Sequence, residues 1–151
     1  MQVVINVVVE KDGKVLMVQE NWGKFVGMWN FPAGHLDEKE NIYTAAVREA
    51  KEETGYDVEL TGVLDIQNCV YEDRHIVHII FTAKITGGEV KFDPKEIMDV
   101  KFVPIADLLK MGDKELRSSV CRKATISRLA ENKIFPLDIV RDFNFIEGGK
   151  K

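Results

Sequence analysis

The stretch that most constrains this chain covers residues 34–56, GHLDEKENIYTAAVREAKEETGY. Its second half has the apolar spacing of a helix, and Glu49, Glu52 and Glu53 fall within an arc of about 100° on a helical wheel. Like charges three or four positions apart destabilise a helix by about 0.2–0.5 kcal/mol per pair. A cluster of carboxylate oxygens is also what a hard divalent cation such as Mg²⁺ binds. The glutamates alone leave two interpretations open, a solvated acidic helix face and a metal site.

Signals for both ends of a helix flank these glutamates. Asp37 with Glu40 three residues later is typical of a capping box at a helix N-terminus. Gly55 suits the left-handed position that ends a helix. A short extended run, Phe-Pro-Ala-Gly over residues 31–34, comes before the helix and ends in a residue that allows close backbone approach. This context favours a built site over a solvated acidic face.

These residues together resemble the Nudix box of the MutT/Nudix hydrolase superfamily, G-x5-E-x7-R-E-U-x-E-E-x-G-U, in which U is a bulky aliphatic residue. The fixed positions that match are Gly34, Glu40, Arg48, Glu49, Glu52, Glu53 and Gly55. Ala50 and Tyr56 occupy the two U positions, a departure that concerns packing and not chemistry. The resemblance implies an α+β protein, an α/β/α sandwich with a mixed sheet between helices. It implies one domain over residues 1–146, followed by a flexible tail over residues 147–151.

A set of metal ligands follows from the resemblance. It implies that Glu49, Glu52, Glu53 and the backbone carbonyl of Gly34 hold Mg²⁺, with Mn²⁺ as the alternative ion. Divalent cations neutralise the charge of a diphosphate, orient the leaving group and lower the pKa of bound water. Arg48 would hold a glutamate by charge-assisted hydrogen bonds, and we expect it to offset the repulsion chiefly towards Glu52.

The identity of the general base stays open at this point. A carboxylate that is not a metal ligand can take the proton from the attacking water, and family members differ in where that glutamate lies. Glu96, in the loop before a predicted strand at residues 99–103, is our candidate, with Asp99 and Glu72 as alternatives. The resemblance gives Glu40 a structural or outer-shell role.

Aromatic and basic residues near the box are candidates for substrate binding. The candidates are Trp22, Lys24, Phe25, Phe31 and Arg74. Aromatic rings can stack on a nucleobase, and basic side chains in loops can meet phosphate oxygens. Core packing for the aromatic residues and a solvated surface for the basic ones are the alternatives.

The substrate is indicated only by short matches. Residues 29–36, WNFPAGHL, with 136–138 and 142–144, resemble a subgroup of small phosphatases acting on nucleoside di- and triphosphates and on the pyrimidine diphosphate precursor of thiamine. Other Nudix substrate classes, namely oxidised nucleotides, dinucleoside polyphosphates and ADP-ribose, are the alternative. A non-catalytic nucleotide sensor is a third hypothesis, although such modules usually lose box glutamates that this chain retains.

Composition limits the partners and the location. The 21 Lys and Arg residues against 25 Asp and Glu residues give a net charge of −4, so there is no bulk electrostatic basis for binding nucleic acid or a membrane surface. The apolar runs are too short to span a membrane, and no signal peptide is visible. Cys69 and Cys121 lack metal or redox spacing and are expected to be reduced thiols. We therefore expect a cytoplasmic monomer or homodimer that binds a small nucleotide or diphosphate.

The rest of the chain shows the periodicities of a mixed α/β pattern. We predict strands at residues 3–9, 15–19, 57–70, 76–85, 89–92 and 99–103, and helices at 105–110 and 116–132. An Asp-Gly pair at residues 12–13 predicts a hairpin turn, and Gly62 predicts a bulge. His75 and His78 should lie on opposite faces of a strand. The basic residues of the late helix, Arg117, Arg122, Lys123 and Arg128, are predicted to form a solvated face.

Overall fold

The computed structural model describes residues 1–145. A seven-stranded sheet forms its centre. The strands are β1 (Gln2–Lys11), β2 (Lys14–Glu20), β3 (Trp29–Asn30), β4 (Ala33–His35), β5 (Tyr56–Val70), β6 (His75–Gly88) and β7 (Ile97–Pro104), and the helices are α1 (Ile42–Thr54), α2 (Ile105–Lys110) and α3 (Ser119–Ala130). The predicted end of the domain at residue 146 and the predicted tail at 147–151 lie outside the described residues.

Strand β1 is the hub of the sheet. It pairs in parallel with β6 from Gln2 and Ile76 to Val9 and Ala83, and antiparallel with β4 and with the start of β2. The other ladders, β2 with β3, β2 with β7 and β5 with β6, are antiparallel. Residues 4–9 are buried, as expected of a strand covered on both faces. The mixed sheet of an α+β sandwich is thus confirmed.

Two hydrophobic clusters cover the two faces of the sheet. On one face, Ile5, Val7 and Val9 of β1 belong to the same cluster as the alanines of α1. On the other face, Val8 belongs to a cluster that also contains Leu108 of α2 and Ile126 of α3. The alternation along β1 follows from the period of two in a strand. The small alanines of α1 let that helix lie close to the sheet, which brings its acidic rim next to β4.

Several local predictions are confirmed. Asp12 and Gly13 both have positive φ, 53° and 76°, as the tight hairpin turn between β1 and β2 requires. The β5–β6 ladder shifts register between Leu60 and Gly62. A Cβ at Gly62 would lie 2.5 Å from the Ile134 side chain, so the bulge position also needs the absence of a side chain. No helix of the described residues is long and apolar enough to cross a membrane.

Two predicted elements are corrected. Residues 89–92 do not form a strand. The Lys91 N–H instead donates to the Thr54 carbonyl at 3.0 Å, so this segment follows the end of α1. The late helix begins at Ser119 and not at residue 116. Ser118 has a φ of 50°, and Leu116 forms a bridge with Trp29 of β3. The segment before α3 is therefore drawn into the sheet edge beside the box.

The start of α1 also differs from the prediction. Glu40 accepts a hydrogen bond from the Asp37 N–H at 3.1 Å, but the helix begins two residues later, at Ile42. Its first amides find an acceptor from far along the chain, because the Asp142 carboxylate accepts from the N–H groups of Ile42 at 3.0 Å and Tyr43 at 3.4 Å. A carboxylate at a helix N-terminus is favourable for both hydrogen bonding and the helix dipole.

The other end of α1 is as predicted. Gly55 has a φ of 84°, and its N–H donates to the Lys51 carbonyl at 2.9 Å. A Cβ at Gly55 would lie 2.1 Å from the Glu89 carbonyl oxygen, so both the backbone conformation and the close approach require glycine.

We predict that Asp142→Ala lowers the free energy of unfolding by about 1 kcal/mol, the usual effect of losing a helix cap. Urea unfolding at neutral pH measures it. Asp138→Ala is the matched control, since Asp138 is an exposed carboxylate of the same segment. Equal stability of the two variants would show that Asp142 does not cap α1.

Candidate active site

Arg48 organises the acidic face of α1. Its Nε donates to Glu40 at 2.7 Å, and its Nη1 donates to Glu49 at 2.8 Å. The contact with Glu52 is longer, 3.3 Å, so the expectation that Arg48 acts chiefly towards Glu52 is wrong. Hydrogen bonding to Glu40 raises the pKa of Arg48 above its usual range, and the same bond lowers the pKa of Glu40. Arg48 and Glu40 therefore stay charged together and fix the position of Glu49.

Glu49 lies against the backbone of β4. Its side chain is almost buried, and a Cβ built on Gly34 would lie 2.1 Å from the Glu49 carboxyl carbon. With Glu49 in this position there is no space for a side chain at residue 34, and a larger residue there would displace the carboxylate. Burial raises the pKa of Glu49, and the charge of Arg48 partly offsets that effect.

Glu53 is held at the inner end of the same face. Its Oε1 accepts a hydrogen bond from the Ala33 N–H at 2.8 Å. Burial away from water raises the pKa of Glu53 to about 8. The nearby negative charges of Glu49, Glu20 and Glu96 act in the same direction. At neutral pH and without a cation, this carboxyl group therefore holds a proton readily.

Glu20 is a member of the site that the sequence prediction missed. It ends β2, is almost buried, and accepts hydrogen bonds from Arg117 Nη1 on both carboxylate oxygens at 3.0 Å. Burial raises the pKa of Glu20, while Arg117 counteracts it. The available signal was an acidic residue directly after an apolar strand, although its partner lies 97 positions away.

The predicted solvated basic face is wrong for two of its four residues. Arg117 lies before α3 and is paired with Glu20. Arg122 is 3% exposed and donates from Nε to Asn30 Oδ1 at 2.7 Å. The reason is that α3 packs on the sheet with this side inward. Arg128 lies further along and reaches Asp65 at 3.5 Å.

A cavity of about 460 Å³ lies between the box and the buried residues Glu20, Arg117 and Arg122. Gly34 and Glu53 line it on the side of the box, and four of the five predicted substrate residues line it elsewhere: Trp22, Lys24, Phe25 and Arg74. The rings of Trp22 and Phe25 meet edge to face with centroids 4.9 Å apart. The volume is within the usual range for small-molecule sites.

Phe31 is not at this cavity. Its side chain is completely buried, in the same cluster as Leu64 and Ile80. Its position between the short strands β3 and β4 turns the ring into the core, so the predicted contact of Phe31 with substrate is corrected to a packing role. The guanidinium carbon of Arg122 lies 5.5 Å from the centroid of this ring.

The three candidates for the general base occupy different surroundings. Glu96 is exposed, and its charge contributes to the raised pKa of Glu53. Asp99 accepts from the adjacent Val100 N–H at 2.8 Å, and Glu72 is exposed in the turn after β5. The structure thus brings Glu96 into electrostatic range of Glu53.

The donor set suits a hard divalent cation in its chemistry. Carboxylate oxygens with a glycine backbone beside them are suitable ligands. Burial raises the pKa values of Glu49 and Glu53, and a bound cation would stabilise their charged forms. Within residues 1–145, no three acidic, histidine or cysteine side chains converge on one point as placed. Arg48 instead holds Glu49 and contacts Glu52, whose side chain is largely exposed.

A comparison with protein families identifies a match over most of the chain. The model of the NUDIX domain matches residues 1–122. An ADP-ribose pyrophosphatase of Methanocaldococcus jannaschii is 32% identical over 114 residues, covering 73% of this chain and 66% of that protein. Nudix hydrolase 2 of Arabidopsis thaliana is 46% identical over 101 residues, covering 64% of this chain and 36% of that protein.

The lengths and the solved structures complete the comparison. The aligned region covers 31% of Nudix hydrolase 8 and 35% of Nudix hydrolase 5 of Arabidopsis thaliana, so the chain spans about a third of these relatives. A NUDIX hydrolase from Nitrosomonas europaea superposes with a TM-score of 0.79 at 26% identity, covering 94% of this chain and 97% of that chain.

The raised pKa of Glu53 predicts a pH-dependent stability. The folded state binds this proton more tightly than the unfolded state, so stability is lost as pH rises from the unfolded value, near 4.5, through the folded value of about 8. For one proton the slope is at most about 1.4 kcal/mol per pH unit, and solvent entering through the cavity reduces it. Urea unfolding in EDTA should show a decline in wild type that is absent from Glu53→Gln. If the unfolding free energies of wild type and Glu53→Gln change with pH in the same way, the prediction is wrong.

Proposed function

The chain belongs to the Nudix family, and from that premise we propose that it is a Mg²⁺-dependent hydrolase of diphosphate linkages in nucleoside di- and triphosphates or related small diphosphates. The observation that carries this proposal is that one cavity is lined both by the box and by the aromatic pair. Gly34 and Glu53 line one part of it, and Trp22 and Phe25 line another. A substrate with a charged diphosphate and a flat ring matches these two kinds of surface.

Glu49, Glu52 and Glu53, with the Gly34 backbone, would hold the cation. When bound, a divalent cation neutralises phosphate charge and makes water more acidic. Within this chain, Arg48 fixes Glu49 through a contact of 2.8 Å. The Ala33 N–H fixes Glu53 at 2.8 Å. These hydrogen bonds orient both carboxylates before a substrate arrives, which reduces the reorganisation needed at the site.

Glu96 is proposed as the general base that accepts a proton from the attacking water. It is exposed, and its charge contributes to the raised pKa of Glu53. Its segment is anchored, because the Asn21 N–H donates to the Glu96 carbonyl at 2.9 Å.

The head group of the substrate would stack on Trp22. This ring is 47% exposed, whereas one face of Phe25 is already covered by the Arg117 guanidinium at 3.6 Å from the ring centroid. Base–aromatic stacking contributes about 1–3 kcal/mol and tolerates different bases. Lys24 and Arg74 also line the cavity and are proposed to contact phosphate oxygens.

The proposal extends to the compartment, the oligomeric state and the metal ion. The enzyme works in the cytoplasm as a monomer or homodimer, with Mn²⁺ able to replace Mg²⁺. Cys69 and Cys121 are both free thiols, with their Sγ atoms 3.8 Å apart, and free thiols this close agree with a reducing compartment.

A hydrolysis screen tests the proposed activity. Purified protein is incubated with Mg²⁺ and nucleoside di- and triphosphates, thiamine precursors, dinucleoside polyphosphates, oxidised nucleotides and ADP-ribose, and the products are separated to identify the bond that breaks. ADP-ribose is included because the Methanocaldococcus jannaschii relative is named for it. Nucleotide binding without turnover of any of these substrates would favour the sensor hypothesis.

We predict that Glu52→Gln and Glu53→Gln each abolish most turnover while the fold is retained. An amide keeps the shape of the side chain but lacks the negative charge that a cation needs. Steady-state rates over a Mg²⁺ titration measure the effect, and circular dichroism checks the fold. Glu38→Gln is the control, since Glu38 is an exposed acid that occupies a variable position of the same motif. Rates near wild type at saturating Mg²⁺ in both variants would refute the assignment.

For Glu96→Gln we expect a fall in kcat that exceeds any rise in KM, because general base catalysis contributes about 10²–10⁴-fold to the rate. Glu72→Gln, measured beside it, removes a second exposed acid from another loop. An unchanged kcat in Glu96→Gln with a reduced kcat in Glu72→Gln would transfer the role to Glu72.

Trp22→Ala should raise KM several-fold for nucleotides and leave hydrolysis of a simple diphosphate without a ring almost unchanged. Phe25→Ala should act in the same direction but less strongly, because Arg117 covers one face of the ring. Steady-state kinetics with both substrate types measure this difference. If both types are affected equally, or neither is, these rings serve packing and the ring subsite lies elsewhere.

A further inference from the structure

The wall formed by Arg122 and His78 lines the same cavity but has no role in the chemistry described so far. The Arg122 guanidinium is 3% exposed and makes one side-chain hydrogen bond, from Nε to Asn30 Oδ1 at 2.7 Å. Its Nη1 is buried and has no hydrogen-bond partner among the described residues. A buried donor without a partner costs about 1–3 kcal/mol, and more when it is charged.

The neighbouring groups cannot complete the hydrogen bonding of Arg122. Glu20, the buried acid nearby, is engaged on both oxygens by Arg117 at 3.0 Å. Asn30 Oδ1 accepts a second hydrogen bond, from the Phe31 N–H at 2.9 Å. A charged group retained in the core without sufficient partners calls for a functional explanation, and its place on the cavity wall suggests that a ligand supplies the acceptor.

His78 adds a second donor to this wall. With the Asn6 amide oriented so that Nδ2 faces His78 Nδ1 at 3.0 Å, the neutral ring accepts at Nδ1 and carries its proton on Nε2. Burial lowers the pKa of His78 to about 4, so the ring is neutral at physiological pH. None of the hydrogen bonds within residues 1–145 uses Nε2. The wall thus offers hydrogen atoms from both side chains.

We propose that Arg122 and His78 form a subsite for hydrogen-bond acceptors on the substrate's ring, which selects 6-oxopurine nucleotides over 6-aminopurine nucleotides. A guanidinium group pairs well with the O6 and N7 acceptors of a 6-oxopurine edge. Adenine places an amino group at position 6, which would point donor hydrogens towards Arg122. The inference rests on the proposed function, because it takes the ring to occupy the cavity beside Trp22.

Binding of IMP and AMP tests the subsite directly. The two nucleotides share the ribose and the phosphate, and their rings differ only at position 6 and the adjacent nitrogen proton. Calorimetric titrations in EDTA, without turnover, compare wild type with Arg122→Met, which keeps the length of the side chain and removes its donors. Arg128→Met is the matched control, since Arg128 lies on the same helix and pairs with Asp65 instead.

Wild type and Arg128→Met should bind IMP about tenfold more tightly than AMP, within the range of one bidentate pair. In Arg122→Met the ratio should fall to about one. His78→Phe, which removes the second donor, should lower the ratio as well, and it serves as the decisive variant if Arg122→Met does not fold. Thermal melting establishes folding for each variant.

Three results would overturn the inference. They are equal affinities for IMP and AMP in wild type, an unchanged ratio in folded Arg122→Met, and no binding of either nucleotide at millimolar concentration. An unchanged ratio that comes with equal weakening of both nucleotides would show that Arg122 holds the shared phosphate instead. Selective IMP binding without hydrolysis of any diphosphate would refute only the proposed function, and hydrolysis without base preference would refute only the subsite.

Discussion

Arg48 forms ion pairs with Glu40 at 2.7 Å and Glu49 at 2.8 Å, and these contacts hold the acidic face of α1 in place. One guanidinium cannot balance the whole cluster, because Glu53 lies deeper and is fixed only by a backbone amide. The carboxylates remain short of positive charge, which is the electrostatic condition under which a divalent cation binds well. Gly34 allows this close approach, since a side chain at that position would displace the Glu49 carboxylate.

The sheet converts this local arrangement into a site. β4, which carries Gly34, pairs antiparallel with β1 beside the parallel β1–β6 ladder. The Trp29 N–H donates to the Glu115 carbonyl at 2.8 Å, and the Arg117 N–H donates to the Trp29 carbonyl at 3.0 Å. These bonds bring the segment before α3 to the end of β2, where Arg117 meets Glu20. The end of β2, the strand β3 and the segment before α3 thereby enclose one cavity together with the box.

The sequence predicts what local patterns encode, and it fails where partners are distant. The box helix, the hairpin at residues 12–13 and the strand β6 follow from periodicity and turn residues alone. The pairs Glu20–Arg117 and Asn30–Arg122 connect residues more than ninety positions apart, so a helical pattern could not reveal that either arginine is buried. Phe31 was misassigned for a related reason, because two short strands, and not its neighbours in sequence, decide which way its ring points.

The cap on α1 has a consequence for how this protein is made. The helix that carries the box glutamates is synthesised about a hundred residues before Asp142, whose carboxylate accepts its first amides. Tyr43 of the same helix also donates through its hydroxyl to the Leu137 carbonyl at 2.9 Å. Because domains fold while the chain emerges from the ribosome N-terminus first, α1 completes its hydrogen bonding only when this late segment has emerged. The acidic helix is thus encoded early and completed late, so the final placement of its glutamates depends on a segment made about a hundred residues later.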